Sequence, residues 1–406
     1  MYRRLRLALL ALALSVWAAA ALAATPTLRT AWRAALELHP NRAYAQTLNE
    51  SAALLLEDAD RLLGNPASVS TRYNTDRLTD DIGEQEWEVI LNLPLMTPEE
   101  RSSRQSAAEG ALAAATANTR VLELQVAGAV RRLVWALHAA RLERELAAEA
   151  LQSSQKLTDH LRQLVAADSR PRNELLAVEA DLLEREQALI DAEAELEHMQ
   201  WRWQRLTGLK EPPVNTPELQ ASGGQEMLLL AHPVNQWREA ELETARASEA
   251  LQQSTWVNKP TLGLGYRGER GSRIEDEVQS LGLFFEVPLD FGQYNRRAEA
   301  TAHRQAGDAA LNLSLTQRQL QQQLHDAELR IASEQRALLL AKRREEIARE
   351  ASTLSELAFT NGESTLFELL DARDRARRAR SERGRRELSL AEAISLFNQA
   401  AGVLPE

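Results

Sequence analysis

The sequence contains no cysteine among its 406 residues. Disulfides, thiolate metal sites, thiol catalysis and a lipidated N-terminal cysteine are thereby excluded together. Aromatic residues are scarce at 5%, and the chain is rich instead in Ala, Leu, Glu, Arg and Gln. That composition points to long helices and coiled coils. Basic charge is in deficit, with 48 Lys and Arg against 59 Asp and Glu, a net charge of -11. The deficit argues against a nucleic-acid binder. Beyond residue 23 there is no run of eighteen apolar residues, so no helical membrane span is expected. If the chain crosses a bilayer, a closed β-barrel is the remaining route. No phosphate-cradling Walker motif is present, and the histidines are scattered without metal-ligand spacing. No cofactor or bound metal is expected, and no acid, base and nucleophile grouping suggests an enzyme.

The first 23 residues read as a separate object. Arg3, Arg4 and Arg6 precede an apolar run from Leu7 to Ala20, followed by the small-residue segment Ala21-Leu22-Ala23. These are the three regions of a secretory signal peptide. The protein is expected to be exported by a bacterium.

The strongest feature is internal repetition, which multiplies one structural unit. His39-Pro40 recurs as His232-Pro233, and Pro94-Leu95 recurs as Pro288-Leu289. Residues Asn173 to Ala177 align with Phe367 to Asp371, and Leu206 to Gly208 with Ala400 to Gly402. The offset is 193 for the first pair and 194 for the others. Two halves are expected, over 24–213 and 225–406. The segment 210–224 joins them, and its prolines and glycines mark a linker.

Each half carries the same patterns. An opening helix is expected from Arg42 to Leu63 and from Val234 to Trp256. A hairpin follows, over 66–95 and 260–289. In the first half Trp87, Val89, Leu91, Leu93 and Leu95 alternate with mostly polar residues. In the second, Leu281, Leu283, Phe285, Val287 and Leu289 alternate with Gly282, Phe284, Glu286 and Pro288. Period-two alternation of this length makes a strand with one apolar face. Thr97-Pro98-Glu99-Glu100 then reads as a capping box opening a very long helix. Val126, Val130, Leu133, Leu137 and Ala140 step by four and three along it. Leu175, Leu182, Leu189, Leu196 and Trp203 of the returning helix fall seven apart. Heptads of that length mean helix-on-helix packing. The fold class is mainly α with a small β part.

Four strands cannot close a barrel, and an open sheet edge in lipid is prohibitively costly. The chain must pool strands with copies of itself, and the count alone allows two copies or three.

The twice-repeated helix, hairpin and long helix pair resembles the TolC-type outer-membrane efflux proteins. So do the Pro-Leu before each long helix, the segment Phe359 to Gly362 followed by Phe367 to Ala372, and the closing Gly402. The short loops and compact join look most like the CzcC-like heavy-metal cation branch. The resemblance implies a homotrimer with a shared twelve-stranded barrel in the outer membrane and a periplasmic tube of helices. It implies a passive exit duct, docked through a periplasmic adaptor onto an inner-membrane pump of the proton-driven RND type. Divalent heavy-metal cations are the leading cargo, with drugs, organic solutes or a type I secretion substrate as alternatives. A secreted coiled-coil structural or adaptor protein is the rival from another class.

The resemblance also assigns sites. Glu368 and Asp371 fall where the family narrows its periplasmic end with acids, and Glu174 is the first-half counterpart of Glu368. The hairpin tips, at Asp168 and Arg170 and at Asn361, Gly362 and Glu363, are where an adaptor would touch. Asp168 stands where the second tip has glycine. Residues 373–386 carry eight arginines and two acids, whereas 179–192 carry five acids and one arginine. Pairing is expected between Asp181, Glu184 and Glu186 on one side and Arg377, Arg380 and Arg383 on the other. Gly263, Gly265 and Gly268 match a dinucleotide-binding fingerprint, but the required helix does not follow. Close packing of strands accounts for them better.

Overall fold

The computed structural model describes residues 26–213, 217–255, 259–289 and 295–405. The expected signal peptide and Trp256 lie outside them. The elements run α1 (Leu28–Leu38), α2 (Asn41–Ala59), β1 (Ser68–Thr75), β2 (Gln85–Pro94), α3 (Pro98–Ala166) and α4 (Arg172–Thr207). They continue as α5 (Gln225–Ala231), α6 (Pro233–Ser254), β3 (Thr261–Arg270), β4 (Val278–Glu286), α7 (Arg296–Thr360) and α8 (Leu366–Ala400). Among the described residues no helix is long and apolar enough to cross a membrane.

The expected opening helices are α2 and α6, and each is preceded by a short helix, α1 or α5, that ends at His39-Pro40 or at His232-Pro233. His39 N–H donates to Leu36 O and His232 N–H to Leu229 O, both at 3.3 Å. A proline cannot continue the hydrogen-bond ladder, so the chain turns there and begins a new helix. The short α1 and α5 carry too few turns for periodicity to reveal them.

Two compact units divide the chain. One takes Ala43–Val121 and Pro233–Arg318. It holds the antiparallel sheet, in the order β1-β2-β3-β4, with helical segments beside it. At the start of α3, Thr97 Oγ1 accepts from Glu100 N–H at 3.2 Å, which is half of the expected capping box. The other half is missing because the fully buried Glu100 carboxylate is held by Lys259 Nζ and by Arg104 at 3.5 Å. A buried charge without a partner is costly, and this demand outweighs the local cap.

The other unit takes the chain up to Arg42, Leu122–His232 and Gln319–Glu406. The expected seam of α3 is buried from Val126 to Ala140, and so is Trp203 of α4. One apolar cluster joins Leu157, Leu161, Val178, Phe359, Leu366 and Leu369 near the hairpin tips. A second joins Leu228, Leu324, Ile331, Ala393 and Phe397. Residues 218–221 are tied down. Arg131, fully buried, donates to both carboxylate oxygens of Glu218 at 2.9 and 2.6 Å and to Val403 O at 2.9 Å. Asn398 accepts from Ala221 N–H and donates to Leu219 O.

Candidate channel surfaces: the two-faced sheet and the helical tips

The sheet register sorts its side chains into two unlike faces. Val69, Leu91, Leu264 and Leu283 form one cross-strand row, and Thr71, Val89, Tyr266 and Leu281 the next. Leu93, Leu262 and Phe285 continue the face. It is apolar across all four strands and open, with Leu281 83% and Leu283 70% exposed. Water would penalise so large a continuous apolar face, whereas lipid would not. Aromatics mark one end. Trp87 lies 5.3 Å from Tyr266 between ring centroids, and its Nε1–H donates to Glu277 at 2.9 Å. Amphipathic rings placed so fit a membrane interface.

The reverse face is polar. Arg267 pairs with Glu86 at 3.0 Å and with Glu269 at 2.6 Å, and Arg72 lies 3.8 Å from the buried Glu88. Asn92 donates to Ser70 at 3.0 Å. The three glycines of β3 are explained by close packing, Gly263 and Gly265 on this face and Gly268 on the apolar one. A Cβ on Gly265 would lie 2.5 Å from the Phe284 ring, and one on Gly263 3.3 Å from Phe284 and Ile90. The Phe284 ring approaches the backbone of β3 closely enough that a side chain at Gly265 would collide with it, and one at Gly263 would be tight. Gly268 gives the same clearance to Trp87. The apparent dinucleotide fingerprint is therefore a packing device of strand β3.

At the far ends of the long helices are two turns of one geometry. Asp168 has φ 55° and Gly362 φ 76°. Arg170 places its guanidinium 4.7 Å from the Phe359 ring centroid, so one turn rests on the other. Asn361 and Glu363 are exposed beside Gly362. Thr365 Oγ1 accepts from Glu368 N–H at 3.3 Å, and the Glu368 carboxylate accepts from Thr365 N–H at 2.9 Å. Glu368 is thus the acid of a capping box. Asp371 is held by Arg375 at 2.6 Å, and Glu174 sits 3.8 Å from Arg170.

Within one chain the charged segments have the following partners. Arg380 is bidentate to Glu149 of α3, at 2.8 and 3.0 Å, and Arg385 to Glu143, at 2.7 and 2.9 Å. Arg383 reaches Glu345 of α7 at 3.0 Å, and Arg377 pairs with Asp374. Asp181 accepts from Ser154 at 2.8 Å and from Arg185 at 2.6 Å. Asp181 and the three arginines nonetheless line one open groove of about 760 Å³. Glu184 and Glu186 are exposed and make no ion pair among the described residues. Alternation in the sequence located the strand faces. The tip contact of Arg170 with Phe359 and the Arg131–Glu218 pair carried no sequence signal, because each joins residues far apart in the chain.

No protein-family model matches the sequence, and no curated protein is close enough to match it. Solved structures do match. The chain superposes on CusC with a TM-score of 0.74 at 14% identity, covering 93% of this chain and 92% of that one. It superposes on the outer membrane protein VceC of Vibrio cholerae with the same score at 15% identity, covering 93% and 97%. The outer membrane channel MtrE of Neisseria gonorrhoeae gives 0.73 at 18%, covering 94% and 90%. The chain shares the fold of these outer-membrane proteins. At these identities the likeness establishes the fold, and the TolC-type resemblance of the sequence agrees with it. Among the described residues no group of three or more His, Asp or Glu could hold a metal ion.

Proposed function

We propose that the chain is one protomer of a homotrimeric exit duct in the bacterial outer membrane. The observation that carries the reading is the sheet. Its apolar face is open across four strands, its other face is charged, and β1 and β4 each have only one neighbour. In lipid, unpaired strand edges are too costly to persist. Three copies closing edge to edge would give a twelve-stranded barrel with the polar face inward. Residues 1–23 would be removed on export, and 24–213 and 225–406 would be two versions of one ancestral unit.

The duct conducts passively. Its energy comes from an inner-membrane pump, of the proton-driven RND type, reached through a periplasmic adaptor at the turns around Asp168, Arg170, Asn361, Gly362 and Glu363. Divalent heavy-metal cations are the leading cargo, as in the CzcC-like branch. Glu368, Asp371 and Glu174 from three copies would form an acidic constriction that favours cations. Because Glu368 also caps α8, substituting it by alanine would disturb the helix start as well as the charge.

The reading is tested by native mass measurement of the detergent-extracted protein, with metal sensitivity measured in cells carrying or lacking it. A trimer, and metal sensitivity on its loss, are expected. A monomer with intact secondary structure would overturn the duct. A trimer whose loss sensitises cells only to organic compounds would overturn the cation assignment alone.

A further inference from the structure

The groove of about 760 Å³ takes side chains from all four long helices, α3, α4, α7 and α8. Six arginines line it: Arg185 of α4, Arg349 of α7, and Arg373, Arg377, Arg380 and Arg383 of α8. The α8 arginines step by four, three and three, so they share one face of that helix. Five carboxylates line the groove as well. Six against five leaves a net charge of +1, in a chain whose total is -11.

The six guanidiniums differ in how many of their donors are already used. Arg380 gives two nitrogens to Glu149, and Arg383 gives one to Glu345 and one to Glu387. Arg185, Arg373 and Arg377 give a single nitrogen each, to Asp181, Glu356 and Asp374. Arg349 is exposed and makes no ion pair or hydrogen bond among the described residues. A guanidinium carries five N–H donors, so four of the six keep most of theirs unspent. Two of these four are also largely withdrawn from water, with the Arg185 side chain 22% and that of Arg373 26% exposed. Leu146, Leu157, Leu370 and Phe367 supply the apolar lining, and Phe367 is 78% exposed.

These walls select a ligand by its chemistry. Guanidinium forks match the paired oxygens of carboxylate, phosphate or sulfonate groups, and the ion pairs to neighbouring acids hold the forks in place. A cation would meet more positive charge than negative. A bare inorganic anion would leave Phe367 and the leucines in water. The volume falls within the range of small-molecule sites, about 300–1,000 Å³.

We infer that this groove binds an amphipathic organic anion, an apolar body that carries carboxylate, phosphate or sulfonate groups. Arg349 and Arg377 supply the free donors, with Arg185 and Arg373 beside them, and Phe367 and the leucines receive the body. The site lies within a single chain and goes beyond the duct reading. Glu368 and Asp371 precede the arginines along α8, so a site for anions need not oppose a constriction that favours cations.

The probe is naphthalene-1,5-disulfonate, an aromatic dianion too polar to enter a detergent micelle. It is titrated calorimetrically into the detergent-extracted full chain at low salt. Saturable binding is expected, weakening steeply as salt is added. Arg349→Gln with Arg377→Gln should weaken it by about tenfold for each guanidinium lost. Neither change strands an acid, since Arg349 has no partner and Asp374 keeps Arg378 at 2.7 Å. Native mass and circular dichroism check that this variant is folded. Phe367→Ser leaves every arginine in place and carries the test if it is not. That variant should bind the disulfonate more weakly and inorganic sulfate unchanged. Absence of saturable binding, equal binding by the double variant, or sulfate bound as tightly as the disulfonate would overturn the assignment. So would benzyltrimethylammonium, a cation with an aromatic body, binding equally well. None of these results bears on the duct reading, which native mass and conductance decide separately.

Discussion

Asp168 and Gly362 close the two helical hairpins with the same backbone. Both have positive φ. Asp168 N–H donates to Val165 O at 3.0 Å and Gly362 N–H to Phe359 O at 3.0 Å. The next residues, Ser169 and Glu363, donate to Leu164 O and Ala358 O at 2.9 and 2.8 Å. This is the Schellman arrangement, which favours glycine at the left-handed position.

Asp168→Gly is therefore expected to raise stability, by up to about 1 kcal/mol, by removing the left-handed penalty. Gly362→Ala should lower it by about 1 kcal/mol. No atom lies within 4 Å of a Cβ at Gly362, so that loss is conformational rather than steric. Chemical unfolding of the two variants, followed by helical circular dichroism, checks the opposite signs.

The Arg131–Glu218 pair should hold the segment between the two halves of the chain. Arg131→Met leaves the largely enclosed Glu218 carboxylate without its cation and with Ser395 still bonded to it, and is expected to cost about 3 kcal/mol. Limited proteolysis should then cut after Lys210 much faster than in the unsubstituted chain. Equal cutting rates would show that other contacts hold the segment.

The strands were legible in the sequence because their alternation is local. Trp87 to Leu95 shows its pattern without any partner. The long helices were legible for the same reason, from caps and heptads. Lateral neighbours were not. The charge of segment 373–386 says that acids should face it, but not that Glu149 and Glu345 supply them. That depends on α8 lying between α3 and α7. The tethering of Glu218 was hidden likewise, since Arg131 lies 87 residues away. The prolines and glycines of the joining segment marked a linker, and nothing local showed that a buried arginine would hold Glu218 within it.

The two faces of the sheet should respond oppositely to charge. Leu264→Lys, in the middle of the apolar face, is expected to cost about 2–4 kcal/mol on folding into a bilayer. Ser70→Lys, on the polar face, should change it little. Folding yield into lipid vesicles, read by protease resistance, separates the two. Similar yields for both variants would mean that the apolar face does not meet lipid.

Burial pushes the His232 imidazole down to about 4, and the residue is only 3% exposed. The unfolded chain, with an ordinary value near 6.5, binds more protons between those limits. Stability should therefore be full above about pH 6.5, fall as pH drops toward 4, and level off below. The slope is at most about 1.4 kcal/mol per pH unit. His232→Gln should flatten this part of the profile, as measured by unfolding midpoints from pH 4 to 7. An unchanged slope would place the acid sensitivity elsewhere.

Conductance of the purified oligomer in planar lipid bilayers tests the central claim most directly. Discrete, stable ion-conducting steps are expected, with cations favoured over anions. Glu368→Gln with Asp371→Asn should reduce that selectivity without reducing trimer yield. Glutamine keeps the carbonyl oxygen that accepts the Thr365 N–H, so the helix cap survives. Insertion without conductance, or an oligomer that never enters the bilayer, would contradict the account of this chain as the wall of an outer-membrane duct.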